Sequence, residues 1–300
     1  MAIGASRIFH VNSNCTDIAR SLAFYRDLLG FTATTHPMPD RPQPGGAFGL
    51  DEVLWDGWIL QGDLGYAGAS LDLLEWKVPA PGGQPPQTVH EPGFHRLCFV
   101  VPDFDETLAA MRTAGVPLVG SPYEIDSGDG TMVPTALVQD PDGVPVQLLQ
   151  GDNRRLSHVV VNCRDLDRSV AYYRDVMGLT VVDGQDQPAQ PPMVTRSARL
   201  VDPGSGFGVQ LVQFVRPAMP AVRERRANDI GLFRMAWSTN DCAADERVVR
   251  AAGSVPFAPT GALSVGDHLP LLMVLFWPGP DGECLELIEV TGTQTAQENS

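Results

Sequence analysis

The sequence has no excess of positive charge. Its 21 Lys and Arg residues stand against 36 Asp and Glu residues, which gives a formal net charge of −15 and a pI near 4.7. Proteins that bind nucleic acid or an anionic membrane surface need a basic face for the phosphate groups. The composition therefore argues against a nucleic-acid or membrane partner.

Long apolar runs and cysteine motifs are also missing. No run approaches the roughly 20 apolar residues of a membrane-spanning helix, and the first residues enter a strand pattern without the apolar stretch of a signal peptide. The five cysteines are an odd number and form no CxxC or CxxH spacing of a zinc site. We therefore expect a cytoplasmic protein in which Cys15 and Cys163 are buried small residues rather than disulfide partners.

A duplicated segment dominates what is present. Residues 10–30, HVNSNCTDIARSLAFYRDLLG, recur as residues 158–178, HVVVNCRDLDRSVAYYRDVMG. Both copies carry the same His, the same Asn-Cys pair and the same Tyr-Arg-Asp run. A match this dense within one chain indicates a duplicated structural unit, and 300 residues are enough for about two domains.

Each half of the chain shows the order strand, helix, three strands twice. In the first unit Asp17 or Thr16 begins a helix that Gly30 ends, and the Pro/Gly-rich residues 36–46 are predicted to be irregular. The sequence thus predicts an α+β chain of two domains, 1–152 and 153–300, and a disordered polar tail from Thr291. The four predicted βαβββ modules span residues 1–80, 88–150, 154–218 and 228–292.

The modules resemble the vicinal oxygen chelate superfamily, which includes glyoxalase I, type I extradiol dioxygenases and bleomycin-binding proteins. The resemblance rests on a histidine in the first strand of modules one and three, and on the DPDG and GPDG turns before the last strands of modules two and four. It implies that modules pair into half-barrel cups, with metal ligands on the first and last strands of each module.

Repeat alignment assigns these ligand positions in the present chain. Modules one and three offer His10 with Glu75, and His158 with Gln213; the last strands of modules two and four offer Gln147 and Glu286. In modules two and four the expected first-strand histidine is replaced by Arg96 and Arg234, because each lies seven residues before the Asp that begins the helix. Arginine repels a cation but suits an anionic substrate group.

The sequence leaves the pairing of the modules open. If neighbouring modules pair, neither cup collects a convincing metal site. If modules one and four pair, one cup holds His10, Glu75, Glu286 and Arg234, and the other has no carboxylate at its ligand positions. This segregation favours one working site and one degenerate site.

Three functions remain as hypotheses. The first is a metal-dependent isomerase, lyase or C–C-cleaving enzyme for a small oxygen-rich, anionic or aromatic substrate. His10, Glu75 and Glu286 would hold a divalent Fe, Mn, Ni, Zn or Mg ion, and Glu75 would act as ligand or general base. Arg234, Arg96 and His158 would bind substrate, in a monomer or homodimer.

The second hypothesis is an extradiol-type dioxygenase. Its iron site requires two histidines and a carboxylate, whereas the position of the second histidine is occupied here by Arg96 or Arg234. The third is a metal-free protein that sequesters an aromatic ligand in its cup. In that case Glu286 and Glu75 would form buried ion pairs with Arg234 and Arg96, and tryptophans would line the pocket.

Overall fold

The computed structural model describes residues 2–126, 130–182 and 193–291. Its strands and helices follow the predicted order of four modules. The first two modules contain these elements: β1 Arg7–Cys15, α1 Ile18–Leu22, β2 Thr32–Thr35, β3 Gln43–Pro44, β4 Glu52–Gln61, β5 Ser70–Val78, β6 Gly93–Val101, α2 Phe104–Thr113, β7 Tyr123–Asp126, β8 Met132–Gln139 and β9 Pro145–Gln150. The last two contain β10 Arg155–Asn162, α3 Leu166–Asp175, β11 Thr180–Val182, β12 Val194–Val201, β13 Gly208–Arg216, β14 Gly231–Ser238, α4 Cys242–Ala251, β15 Gly261–Leu263, β16 Leu272–Pro278 and β17 Cys284–Val290.

The first helix differs in detail from its prediction. Asp17 is its N-cap, and its side chain accepts a hydrogen bond from the Arg20 N–H. The α-helical turn at Ile18–Leu22 continues as a π-helix over Ala23–Leu28. Gly30 ends the segment at a φ of 76°, a left-handed conformation that favours glycine.

The strands form two sheets, and each sheet joins one module from each half of the chain. The outer sheet, from modules one and four, has nine strands in the order β15-β16-β17-β14-β1-β5-β4-β2, with β3 on β4. The inner sheet, from modules two and three, has eight strands in the order β11-β12-β13-β10-β6-β9-β8-β7. The two curled sheets make two half-barrel cups, as the resemblance implies. We call them the outer cup and the inner cup.

Antiparallel pairing of first strands holds each cup together. β1 pairs with β14 in the outer sheet, and β10 pairs with β6 in the inner sheet. The pairing of modules one and four is therefore the one that gathers acidic side chains. The predicted division into two domains, 1–152 and 153–300, follows the order of the modules along the chain. It stays a prediction.

Helices and turns connect consecutive modules on the opposite faces of the sheets. The Tyr25 hydroxyl donates to Asp140 Oδ2 at 2.9 Å, which ties the helix of module one to the turn of module two. The repeat reproduces this contact between modules three and four, where the Tyr173 hydroxyl donates to Glu283 Oε1 at 2.7 Å. One continuous apolar core on the helix side includes residues of all four modules.

Irregular segments behave partly as predicted. Residues 79–86, PAPGGQPP, contain no named helix or strand, as expected for a Pro/Gly-rich linker between modules one and two. The Pro/Gly-rich stretch is less irregular than expected, because β3 lies within it and a 3₁₀ helix begins at its last residue and spans Gly46–Phe48. Of the tail predicted to be disordered, residues 292–300 lie outside the described residues. Within the described ranges no helix is long and apolar enough to cross a membrane.

Candidate functional site

The strand register places four polar side chains on the floor of the outer cup. His10 pairs with Ser70 across β1 and β5, and Asp72 follows two residues later on the same face. Arg234 pairs with Cys284 across β14 and β17, and Glu286 likewise follows two residues later. Because β1 and β14 are adjacent, the two module-related pairs meet at the seam between them. We call His10, Asp72, Arg234 and Glu286 the quartet.

Arg234 binds both carboxylates of the quartet. Its Nε donates to Glu286 Oε2 and its Nη2 donates to Asp72 Oδ2, each at 2.7 Å. His10 Nε2 lies 3.3 Å from Glu286 Oε2 and 3.7 Å from Asp72 Oδ2. The guanidinium therefore bridges the two acids, with the imidazole beside the same two oxygens.

The quartet is almost fully removed from solvent. His10 is 4%, Asp72 2%, Arg234 6% and Glu286 1% exposed. Burial acts to raise the pKa of Glu286, but the Arg234 charge and the neighbouring imidazole of His10 outweigh it and hold that pKa below its ordinary value. Burial also opposes the charge of Arg234, whereas Glu286 and Asp72 raise its pKa above the ordinary value. Arg234 and Glu286 are therefore both ionised at neutral pH.

Several polar atoms around the quartet have no hydrogen-bond partner in the described part of the chain. They are both ring nitrogens of His10, Asp72 Oδ1, Arg234 Nη1 and Asn12 Oδ1. Buried polar atoms without partners are costly, and they are normally satisfied by water or a ligand. Donors and acceptors are both present, so the set suits a small molecule that carries hydroxyl or carbonyl oxygens.

Aromatic rings form the walls of the outer cup. The Arg234 guanidinium carbon lies 6.0 Å from the Phe48 ring centroid and 5.9 Å from that of Phe276, within the range of cation–π contact. Trp55 and Trp76 pack against Phe48 with centroid distances of 5.8 Å and 5.5 Å. A second apolar cluster, separate from the core on the helix side, contains these rings.

Two segments, one from module one and one from module four, contact each other beside the outer cup. Gln43 and Ser264 exchange two hydrogen bonds, from Gln43 Nε2 to the Ser264 carbonyl at 2.7 Å and from the Ser264 N–H to Gln43 Oε1 at 3.1 Å. The Asp267 N–H donates to Asp40 Oδ2 at 3.1 Å. Phe48 follows in the first of these segments and Leu263 precedes Ser264 in the second, and both side chains belong to the apolar cluster of the outer cup.

Comparison with known proteins gives the family. The model of the "Glyoxalase/Bleomycin resistance protein/Dioxygenase superfamily" matches residues 7–148 and 155–255. The chain belongs to this superfamily. The resemblance predicted from the sequence is thereby confirmed.

Curated relatives within the superfamily match only part of the chain. A lactoylglutathione lyase of Schizosaccharomyces pombe is 28% identical over 105 residues, 32% of this chain and 33% of the relative. The lactoylglutathione lyase GLX1 of Arabidopsis thaliana is 29% identical over 140 residues, 46% of this chain and 45% of the relative. The chain thus spans between a third and a half of the length of these two proteins.

Solved structures share the fold over nearly the whole chain. Glyoxalase I from Zea mays superposes with a TM-score of 0.69 at 18% identity, covering 94% of this chain and 92% of the other. A putative dioxygenase from Bacillus subtilis superposes with a TM-score of 0.66 at 14% identity, covering 97% and 87%. At these identities the likeness shows the fold alone.

The inner cup keeps the histidine and the arginine of the quartet but has two glutamines in place of its carboxylates. Its sheet brings together His158 and Gln210 from module three with Arg96 and Gln147 from module two. Arg96 Nε donates to Gln147 Oε1 at 3.0 Å. In both cups, therefore, an arginine contacts the last-strand polar residue of its own module.

Glu75, predicted as metal ligand and general base, lies away from the quartet. Its Oε2 accepts a hydrogen bond from the Ile18 N–H at 3.0 Å, and its Oε1 pairs with Lys77. It therefore caps the start of α1. Gln213, predicted for the same role in module three, contacts the Leu166 N–H at 3.3 Å in the same way.

Asp72 and Gln210 are the last-strand residues that the repeat alignment missed. A signal was present, since residues 70–75, SLDLLE, match residues 284–289, CLELIE, so that Asp72 corresponds to Glu286 and Glu75 to Glu289. Glu289 indeed accepts from the Cys242 N–H at the start of α4, at 2.9 Å. Alternation along a strand separates residues three apart onto opposite faces.

Members of this superfamily typically bind a divalent metal ion, and the predicted ion would lie among the quartet. His10, Asp72 and Glu286 are donors of the right chemistry. However, Arg234 already occupies one oxygen of each carboxylate, and its fixed positive charge would lie close to any cation bound there. Among the described residues no group of three or more His, Cys, Asp or Glu is arranged to hold a metal ion. In this arrangement the residues do not fit the divalent ion.

Proposed function

We propose that the outer cup is the reaction centre of an isomerase or lyase that moves a proton on a small oxygen-rich substrate, with Arg234 in place of a divalent ion. The observation that supports it is the buried quartet, in which a guanidinium and an imidazole share two carboxylates. Unpartnered donor and acceptor atoms line the same place. Together these groups provide a proton acceptor, a fixed positive charge and sites for substrate oxygens.

Each member of the quartet has a distinct role in the proposal. His10, 3.3 Å from Glu286, takes a proton from a carbon next to a carbonyl group and returns it to the neighbouring carbon or oxygen. The Arg234 Nη1 hydrogens donate to the oxygen on which negative charge develops. Asp72 and Glu286 hold the guanidinium in place, so that this stabilisation requires little rearrangement during the reaction.

The walls of the cup indicate the rest of the substrate. Phe48, Trp55, Trp76 and Phe276 lie in the apolar cluster beside Arg234. Such rings bind an apolar or aromatic body by burial and ring contact. We therefore expect a substrate with neighbouring oxygens at one end and an apolar part at the other.

The names of the relatives provide a first substrate. Two of them are lactoylglutathione lyases, and each matches this chain over less than half of its length. The first assay is therefore the cleavage of lactoylglutathione to methylglyoxal and glutathione, together with the reverse reaction, followed by the ultraviolet absorbance of the thioester. A panel of 2-hydroxy and 2-oxo acids with aromatic side chains extends the test.

The assay compares the wild type with two histidine variants in the presence of a chelator. His10→Ala should lower kcat by roughly a hundredfold or more, the usual contribution of a positioned general base. His90→Ala is the matched control, because His90 lies outside the quartet, in the loop between β5 and β6. Turnover that appears only after addition of a divalent ion would contradict the proposal and support the metal-dependent reaction instead.

A second candidate is a protein that binds an aromatic ligand without chemistry. The aromatic cluster in the outer cup and the ion pair between Arg234 and Glu286 favour it. Quenching of tryptophan fluorescence by a ligand that is recovered unchanged would distinguish it from the enzyme.

An extradiol dioxygenase fits the residues less well, because Arg234 stands where a second histidine is required. Oxygen uptake with catechols and hydroquinones under ferrous iron would reveal that reaction. As part of the main proposal, the protein acts on a small molecule in the cytoplasm, as a monomer or homodimer. All five cysteines are unpaired and buried, as expected in a reducing compartment.

A further inference from the structure

The inner cup gathers basic side chains along one line across its sheet. Val160 on β10 pairs with Arg96 on β6 and with Gln210 on β13, and Gln210 pairs with Arg199 on β12. Paired residues on neighbouring strands point to the same face. Arg96 and Arg199 therefore flank the cup floor from its two sides.

His158 lies between these arginines on the same face. It is two residues before Val160 and is 5% exposed. A Cβ at the neighbouring Gly208 would lie 2.9 Å from His158 Cβ and 3.6 Å from Arg199 Nε, so the three residues are in close proximity. Burial, then the charges of Arg199, Arg96 and Arg155, lower the pKa of His158 well below its ordinary value. The imidazole is neutral, and its Nδ1 contacts Ser157 Oγ at 3.2 Å.

At the last-strand positions of the inner cup, glutamines stand where Asp72 and Glu286 bind Arg234 in the outer cup. These glutamines, Gln147 and Gln210, carry no charge. Arg199 Nε is buried and has no hydrogen-bond partner within the described ranges. Arg199 as a whole is half-buried, but this N–H is a buried donor, and an anion would satisfy it with a charge-assisted hydrogen bond.

Among the described residues, the inner cup has no apolar cluster like that of the outer cup. Two apolar clusters occur in the described parts of the chain, one on the helix side and one in the outer cup. Val160, Val100 and Leu149 are buried but belong to neither cluster. The described floor of the inner cup thus carries small and medium apolar side chains alongside Arg96 and Arg199, with no aromatic ring among these three residues.

We propose that the inner cup is a binding site for a small oxyanion, a carboxylate or phosphate group held between Arg199, Arg96 and His158. The guanidinium of Arg199 donates to the anion, and the neutral His158 ring, in the tautomer protonated at Nε2, donates as well. This site is separate from the outer cup, so the proposal stands whether or not the outer cup is a reaction centre.

Isothermal titration with inorganic phosphate and with oxalate tests the site, using the full chain. The wild type should bind at least one of them, and Arg199→Gln should weaken that binding by about tenfold or more, because a charge-assisted hydrogen bond is lost. The matched control is Arg196→Gln. Arg196 lies three residues away on β12 and pairs with Asp167 at 3.0 Å, so the same charge is removed outside the cup.

Four outcomes would overturn the proposal. They are no heat from either anion with the wild type at millimolar concentrations, equal weakening by Arg196→Gln, full binding in Arg199→Gln, and loss of binding in Arg234→Met but not in Arg199→Gln. If Arg199→Gln does not fold, as judged by its thermal unfolding, Arg199→Lys replaces it. This variant keeps the charge and loses the two-pronged hydrogen bonding, so binding should weaken by a smaller factor.

Discussion

Arg234→His is the substitution that tests most directly whether a guanidinium stands in the place of a metal ion. The change adds a second imidazole beside His10 and removes the guanidinium that binds Asp72 and Glu286. Two histidines and two carboxylates at one seam are a donor set that suits a divalent transition metal. We expect the variant, unlike the wild type, to bind Zn²⁺ or Mn²⁺ at about one equivalent.

The magnitude follows from the two buried ion pairs. Removal of one partner of a buried pair costs about 3–5 kcal/mol, and Arg234 is buried and bonded to both acids at 2.7 Å. The unfolding temperature of the metal-free variant should therefore fall by roughly 10 °C. A metal ion at a hundred times its Kd would restore about 2.7 kcal/mol of this loss.

The prediction is checked by measuring the unfolding temperature with and without metal, and the metal content by elemental analysis. Arg234→Met is the control, since it loses the same ion pairs without adding a ligand and should not be stabilised by metal. If the wild type carries nearly stoichiometric metal that His10→Ala and Glu286→Ala both lose, the reasoning about Arg234 is refuted. The outer cup would then be a metal site despite its arginine.

Three further predictions concern other parts of the molecule. Glu75→Ala should lower the free energy of unfolding by roughly 0.5–2 kcal/mol, because the cap on α1 is lost, and should leave ligand binding in the outer cup unchanged. Urea unfolding and ligand titration check this, and a loss of ligand binding would show that Glu75 belongs to the site. Burial, and then Asp281, raise the pKa of Glu283 from 4.5 to about 7, so its contribution to stability is full below pH 4.5 and is lost as the pH rises to about 7. The difference in unfolding free energy between wild type and Glu283→Gln should change by about 3 kcal/mol over this range. If urea unfolding gives the same difference at pH 4.5 and at pH 8, burial does not raise the pKa of Glu283. Phe48→Ala should shift tryptophan emission to the red and increase acrylamide quenching, because Phe48 packs on Trp55 and Trp76. The free energy of unfolding should fall by roughly 2–4 kcal/mol, and unchanged emission would show that Phe48 does not shield these rings.

Much of the candidate site could be predicted from the sequence because the repeat carries its own internal alignment. The spacing from His10 to Asp17 recurs at Arg234 and Asp241, which identifies Arg234 as the residue at a ligand position. Glu286 was predicted on the last strand of module four, and the structure places it in the quartet. Whether any of these residues binds a metal or takes part in catalysis stays a prediction.

The strand register settles the choice between Asp72 and Glu75, which the sequence indicated only through the match of residues 70–75 to residues 284–289. Both are acidic, both lie in one apolar strand, and they are three residues apart, so the sequence offered two carboxylates on opposite faces. Pairing of Asp72 with Asn12, two residues beyond His10, decides that Asp72 faces the cup. Glu75 faces the helix, where its carboxylate accepts from the Ile18 N–H.

By itself the sequence determined the number of modules, their order, their α+β character and the family. Each of these depends on local patterns and on a repeat that a single chain displays. Only the tertiary structure decided which modules share a cup. The first strands of the four modules are similar in sequence and offer similar backbone hydrogen-bonding edges, so nothing local distinguishes one partner from another. The choice depends on contacts between distant residues, such as Arg234 with Asp72, which lie in different modules and meet only when β1 pairs with β14.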